Sequence, residues 1–430
     1  MRVTTGKYHQ HGAGRRRGGL WAAALLAATI AAPAGAGDEA SLATLEGALA
    51  WAAAHHPGLR AARAERDAAE ARIAQVVALP DPTLSILARS MKREVGVGVA
   101  QMFPLAGKRG LKAAAAQEAA QAAARLFEAK ALEVAAEVVH AFTELAFLAR
   151  ARSLTEDNLA LLEQLEEVAL ARYRTAEAPY ADVVRAQVEL GRVEDDLRSL
   201  AEAADAAAAR LNAALGRSAD APLPPLAGVP ELRLQLSTDD VENSVRRASP
   251  ELAALGHELA AAQQRFDLAR RNRVPDLMLG VEVMHQQEMK RTGVGVMAGI
   301  NLPIWRDRLR AEVIEAAAKV EAATARQAEK EQRLLAQVHL ALYRFRDADR
   351  RGELYAGRLI PQTRQALAAI TTAYRAGEAT FADVVETSRM VLEFELVYER
   401  ARVEKLQQLA ELQRLTGRRW WPAEDTEVNR

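Results

Sequence analysis

The stretch YRTAEAPYADVV, Tyr173 to Val184, is answered two hundred residues later by YRAGEATFADVV, Tyr374 to Val385, with eight of the twelve positions identical. Self-similarity at a long spacing constrains a fold more than any local pattern. The likeness runs well beyond this turn. HPGL at His56 to Leu59 answers SPEL at Ser249 to Leu252, and LPDPTLSI from Leu79 answers VPDLMLGV from Val274. VGVGVAQMFPL from Val95 answers VGVMAGINLPI from Val294, and LNAALGR from Leu211 answers LQRLTGR from Leu412. The offset is 193 residues at Pro57/Pro250 and 201 at Tyr173/Tyr374, so the copies keep their order and differ by small insertions.

The first repeat is read as residues 37–226, with strands near 83–89 and 95–103 and a helical hairpin over 105–216. The second is read as 227–419, with strands near 276–284 and 293–302 and a hairpin over 304–417; 420–430 form a C-terminal tail. The Pro-rich APLPPLAGVP, Ala221 to Pro230, reads as the linker. In the first hairpin Val134, Val138, Phe142, Leu145 and Leu148 recur at spacings of three and four, one face of a helix. Nothing breaks the pattern from Leu105 to about Arg172, which predicts roughly 100 Å of helix at about 1.5 Å per residue. Abundant Ala suits such long, closely packed helices. The period then changes to two. Leu277, Leu279, Val281 and Val283 alternate with Met278, Gly280, Glu282 and Met284. Val294, Val296, Ala298 and Ile300 alternate with Gly295, Met297 and Gly299, and Val95, Val97 and Val99 with Gly96, Gly98 and Ala100. An apolar row opposite a small or polar row fits a membrane barrel strand, and equally a hairpin lying on a soluble helix layer. Four strands cannot close a barrel in lipid; two chains give a filled barrel, and three give twelve strands and a lumen.

Of the 430 residues 27% are charged, and Lys+Arg equals Asp+Glu at 57, so net charge argues for no nucleic-acid partner. Cys is absent, which excludes disulfides and thiolate sites. The N-terminus carries a basic GRRRGG, an apolar run from Leu20 to Ala34 and small residues near Ala36, and residues 1–36 are read as a cleaved export signal rather than an anchor. No complete dinucleotide, phosphate-loop or nucleophile-elbow motif occurs, so neither enzyme activity nor a cofactor is expected.

The duplicated turns, the strand exits FPLAGKRG and LPIWRDRLR, and the LPDP before the first strand together resemble the TolC-like outer-membrane efflux proteins. The resemblance covers nearly the whole mature chain. It implies a mainly α fold with a small β part: a homotrimer whose twelve strands, four per chain, form an outer-membrane β-barrel continued by a long periplasmic α-helical barrel. The implied role is the passive exit duct of a tripartite pump, with a periplasmic adaptor, an inner-membrane transporter and outer-membrane lipid as partners. LPDPTLSI with FPLAGKRG looks most like the branch serving heavy-metal cations. A duct for drugs or type I protein secretion is the near alternative, and a soluble periplasmic coiled-coil scaffold the alternative of another class.

By the same resemblance the repeated turns are periplasmic hairpin tips. Glu177, Ala178, Pro179, Tyr180, Glu378, Ala379, Thr380 and Phe381 would then meet the adaptor. Asp383 and Glu386 share a helix face and match an acidic constriction; Asp182 faces Arg185 at the same spacing in the first copy. Tyr374 and Asp182 match a pair that holds the tip closed. The Arg of that latch falls at Ala379, which predicts little cross-hairpin bonding beyond Tyr374 and Asp182. Trp305, Arg306, Arg308 and Lys108 suggest an aromatic and basic belt beside the membrane, or ordinary helix surface. Met284, His285 and Met289 carry soft-metal ligand chemistry, but their irregular spacing is read as chance and no metal site is assigned.

Overall fold

The computed structural model describes residues 39–89, 94–232, 234–286 and 290–419. The expected export signal (1–36), the tail (420–430) and Met289 lie outside the described residues. After a 3-10 turn at Glu39–Ala43, helices α1 (Leu45–His55) and α2 (Pro57–Val77) lead to strands β1 (Thr83–Arg89) and β2 (Glu94–Phe103), then to a hairpin of α3 (Lys108–Arg174) and α4 (Tyr180–Leu215). The same order then recurs. Helices α5 (Thr238–Ala248) and α6 (Pro250–Arg271) precede β3 (Leu277–Gln286) and β4 (Arg291–Ile300), and a second hairpin follows from α7 (Arg306–Leu354), α8 (Ile360–Ala376) and α9 (Phe381–Thr416).

Helix α3 runs unbroken for 67 residues, about 100 Å at 1.5 Å per residue. Its counterpart is interrupted by one π turn, Tyr355–Leu359, between α7 and α8. Pro361 follows directly. It has no N–H to donate and its ring crowds the preceding turn, and a wider turn relieves both. The second hairpin thus departs from the first by this one turn, and Pro361 is the local reason.

All four strands form one antiparallel sheet in the order β1-β2-β3-β4. The β2–β3 ladder joins the two copies along its full length, from Glu94↔Gln286 to Phe103↔Leu277. Strands β1 and β4 are the sheet edges. The register places Ile86, Val97, Val283 and Val294 in one cross-strand row, with Leu84, Val99, Val281 and Val296 in the next. This face is open: Ile86 is 76% exposed and Val296 83%. The opposite face, with Gly96, Gly98 and Ala100, is the more covered.

Two recurring motifs of the sequence meet in space. Gly216 ends α4 in the left-handed conformation against Pro57, which opens α2. Gly417 ends α9 in the same way against Pro250, which opens α6. Each HP or SP motif is thus closed by the LGR or TGR motif of its own copy. Beneath these closures lie two helical cores. One gathers Leu45, Ala52, Val138, Phe142, Leu211 and Leu215, and the other Val241, Val245, Leu334, Leu342, Leu412 and Leu415.

The strands are tied to the helices by Asp276. Its carboxylate accepts from the Leu105 N–H at 3.1 Å and from Lys108 Nζ at 2.8 Å, and Lys108 also donates to the Val274 carbonyl at 2.6 Å. Lys108 is buried and so does not join a basic belt at the membrane, which corrects that expectation. Trp305, Arg306 and Arg308 do stand exposed at the β4 exit.

A methyl group at position 417 would lie 2.3 Å from the Ala248 carbonyl oxygen, at a φ of +70°. Gly417→Ala should therefore destabilise the chain by more than the roughly 1–2 kcal/mol of a left-handed backbone alone. Gly191→Ala, in open space on α4, should leave the melting temperature unchanged or raise it. Equal melting temperatures for the two variants would remove this role for Gly417.

Candidate functional site: the paired hairpin tips

The two hairpin tips of one chain pack side by side. Leu162, Leu165, Ala169, Val183, Ala186 and Val193 from the first interlock with Tyr374, Phe381, Val384 and Val385 from the second. These residues recur on one face of each helix, and two such faces exclude water only by meeting.

The turns differ where their sequences differ. In the second, Gly377 takes a φ of +83°; in the first the equivalent Ala176 is held at +60°, a strained position for a residue with a Cβ. In the second, Thr380 caps α9: its hydroxyl accepts from the Asp383 N–H at 3.3 Å, and the Asp383 carboxylate accepts from the Thr380 N–H at 3.0 Å and hydroxyl at 2.6 Å. This capping box satisfies helix-end donors reciprocally. The Thr380 hydroxyl, and then its backbone N–H, hold the Asp383 carboxyl below its ordinary value. The first turn has Pro179 in place of Thr380, with no hydroxyl to offer. The equivalent Asp182 is instead buried in the seam, with Arg185 Nη1 3.7 Å away.

The aromatic pairs follow the same asymmetry. Tyr374 and Phe381 stack edge to face at 5.8 Å, both buried. Their counterparts Tyr173 and Tyr180 lie 5.3 Å apart on the surface. Among the expected adaptor-contacting residues, Glu177, Pro179, Tyr180, Glu378 and Thr380 are exposed and Ala178 and Ala379 half-buried. Phe381 is wholly buried, so it braces the turn from within, which corrects its placement on the docking surface.

The Tyr374 hydroxyl is buried and hydrogen-bonds to no described residue, so the Tyr374–Asp182 bond is not made within the chain. Burial, and then the Asp182 charge, push its phenol up, while Arg172 draws it back. Arg172 of the first hairpin lies over the Tyr374 ring at 5.1 Å and donates to the Tyr374 carbonyl at 2.6 Å. Further down the seam Arg389 grips the buried carboxylate of Glu189 with two donors, and the Ser388 hydroxyl donates to Asn158 Oδ1 at 2.8 Å. The expectation of little cross-hairpin bonding is thus corrected. Arg172 reaches Tyr374 from the other hairpin, and nothing in the repeated motif pointed to it. Asp383 and Glu386 are both exposed on α9.

Met284 and His285, adjacent in β3, point to opposite faces of the sheet, and the His285 ring bonds Thr292 Oγ1 at 3.0 Å. Among the described residues no group of three or more His, Asp or Glu side chains could hold a metal ion, and no helix is long and apolar enough to cross a membrane.

The comparisons agree with this architecture. A sequence profile described as outer membrane efflux protein matches residues 49–217 and 242–418. The cobalt-zinc-cadmium resistance protein CzcC of Cupriavidus metallidurans is 23% identical over 384 residues, covering 87% of this chain and 90% of its own. The outer-membrane channel OprN superposes with a TM-score of 0.77 at 19% identity, covering 88% of this chain and 91% of its own. The outer membrane protein VceC of Vibrio cholerae gives 0.73 at 18%, covering 87% and 96%.

Replacing Ala176 with Gly should relieve the left-handed strain and stabilise the first tip by about 1 kcal/mol. Thr380→Val should loosen the second tip by removing the cap. Hydrogen exchange over 173–185 and 374–388 checks both. It should slow at the first tip in Ala176→Gly, quicken at the second in Thr380→Val, and stay unchanged in the strands. Identical exchange in all three proteins would refute the capping account.

Proposed function

The chain belongs to the outer membrane efflux protein family, and from that premise we propose that it is the outer-membrane exit duct of a tripartite efflux pump. It is a conduit and not an enzyme, placed in the outer membrane with its long helices on the periplasmic side. The observation that carries the proposal is the sheet: among the described residues it has four strands, two bare edges and one open apolar face. Lipid tolerates no open edge, so β4 of one chain pairs with β1 of the next. Three chains close a barrel of twelve strands, wide enough for a lumen. Val97, Val281 and Val296 face acyl chains, and the glycine face lines the pore.

The tips support the same three-fold closure. Tyr180, Val184 and Val188 form an exposed stripe on α4. Their counterparts in the second hairpin, Phe381, Val385 and Arg389, are those that pack against the first hairpin. A neighbouring chain's second hairpin covers the stripe, giving six alternating hairpins in a ring. The exposed turn residues Glu177, Pro179, Glu378 and Thr380 then face the periplasmic adaptor. Asp383 and Glu386 form an acidic mouth that concentrates cations, and the adaptor links it to an inner-membrane transporter. The cargo we assign is heavy-metal cations, supported by the likeness to CzcC along nearly the whole chain.

Arg at Val97, Val281 or Val296 should cost roughly 2–4 kcal/mol each at mid-bilayer, and the triple variant should not yield detergent-stable trimers. Normal assembly of that variant would refute the lipid-facing assignment. In planar bilayers Asp383→Asn with Glu386→Gln should lower cation preference while leaving the trimer intact; unchanged selectivity would remove the acidic mouth.

A deletion strain should become sensitive to cobalt, zinc or cadmium salts and recover with the intact gene. Sensitivity to drugs alone would overturn the cargo.

A further inference from the structure

Four of the eight methionines lie in the described strands, and all four fall on one face. Met102, Met278, Met284 and Met297 alternate with the valine row, so they occupy the face of Gly96, Gly98 and Gly280. Three of them are contiguous at the end of the sheet nearest the helices. Met102 pairs directly with Met278 across β2 and β3. Met278 pairs with Gly299 on β4, which places Met297, two residues before Gly299, at the diagonal position. Directly opposed residues have Cβ atoms about 5 Å apart and diagonal ones lie about 7–8 Å apart, within reach of long side chains. Met278 also leans towards β4: its Cε lies 3.1 Å from where a methyl on Gly299 would be. At the next inward position along β4 from Met297, Gly295 lies under the Glu282 side chain, which sets a carboxylate on the same face.

We propose that Met102, Met278 and Met297 form a thioether site for a soft monovalent cation, cuprous or silver, on the pore face. The inference rests on the reading of that face as pore-lining. Thioethers are neutral, soft and polarizable, and they select Cu(I) over harder divalent ions. The chain has no Cys to compete for such an ion. Glu282 supplies nearby negative charge without entering the ligand set. Covering the strand glycines does not by itself explain four methionines, since Leu fills the same volume. A single-face cluster of sulfur is the feature that a packing role leaves over.

The test uses the full chain purified in mild detergent, titrated anaerobically with Cu(I) against a chromogenic cuprous chelator. The native protein should take up roughly one tightly held Cu(I) per chain. Met278→Leu with Met297→Leu, which keep the volume, should weaken that uptake at least about tenfold while the melting temperature and trimer hold. Met390→Leu, on α9, should leave it unchanged. An assembled trimer that takes up no Cu(I), or a double variant that keeps the native affinity, overturns the site. A chain that binds Cu(I) through these residues but is monomeric and outside the membrane fraction keeps the site and refutes the pore reading instead.

Discussion

Backbone hydrogen bonding at the two edges of the sheet is the constraint to which the rest of the molecule answers. Among the described residues, strands β1 and β4 each present one unpaired row of N–H and C=O groups, next to a face of exposed Val, Leu and Ile. Water would solvate such an edge but would not favour such a face, and lipid reverses both preferences. The proposed pairing with further copies would satisfy the two demands together. The β2–β3 ladder meanwhile fixes the two copies of one chain as neighbours, so their hairpins descend side by side. The Asp276 carboxylate makes that geometry definite, because the Lys108 ammonium and the Leu105 N–H of one copy both meet the first strand of the other there.

The same motif, written twice, ends in two environments, and single residues decide which. Thr380 engages Asp383 as a cap; Pro179 cannot, and Asp182 turns into the seam. Within the chain the seam carries Arg389 on Glu189 and Arg172 on Tyr374. The corresponding positions on the outer flanks are Val188 and Met390, then Ala373 and Tyr173. The two hairpins of one chain are therefore held by directional, charge-assisted contacts. The proposed contact between chains is mainly apolar and much less directional.

The periodicities were plain in the sequence because each reflects one element meeting one environment. A period of two marked β2, β3 and β4, and spacings of three and four marked α3, since alternation and helical stacking are local geometry. The duplication carried the element order with it. The α7–α8 break is legible in Pro361, which lacks the N–H a helix interior needs. The tip chemistry was only half legible. Asp383 and Glu386 show as a carboxylate pair, and the Thr-x-x-Asp spacing of the Thr380 capping box sets the second turn apart from the first.

By itself the sequence determined which segments are helix and strand, that they occur twice in one order, and which face of each is apolar. These depend on residues close together in the chain. Tertiary structure alone decided that Lys108 is a buried clamp on Asp276 rather than a surface charge, that Arg172 reaches across the hairpins to Tyr374, and that four methionines share a face. Each of these joins residues from different copies or strands, about 170 or more apart for Lys108 and Asp276 or Arg172 and Tyr374. No local period can encode such a meeting; it exists only once the β2–β3 ladder sets the register and the hairpins are brought into contact.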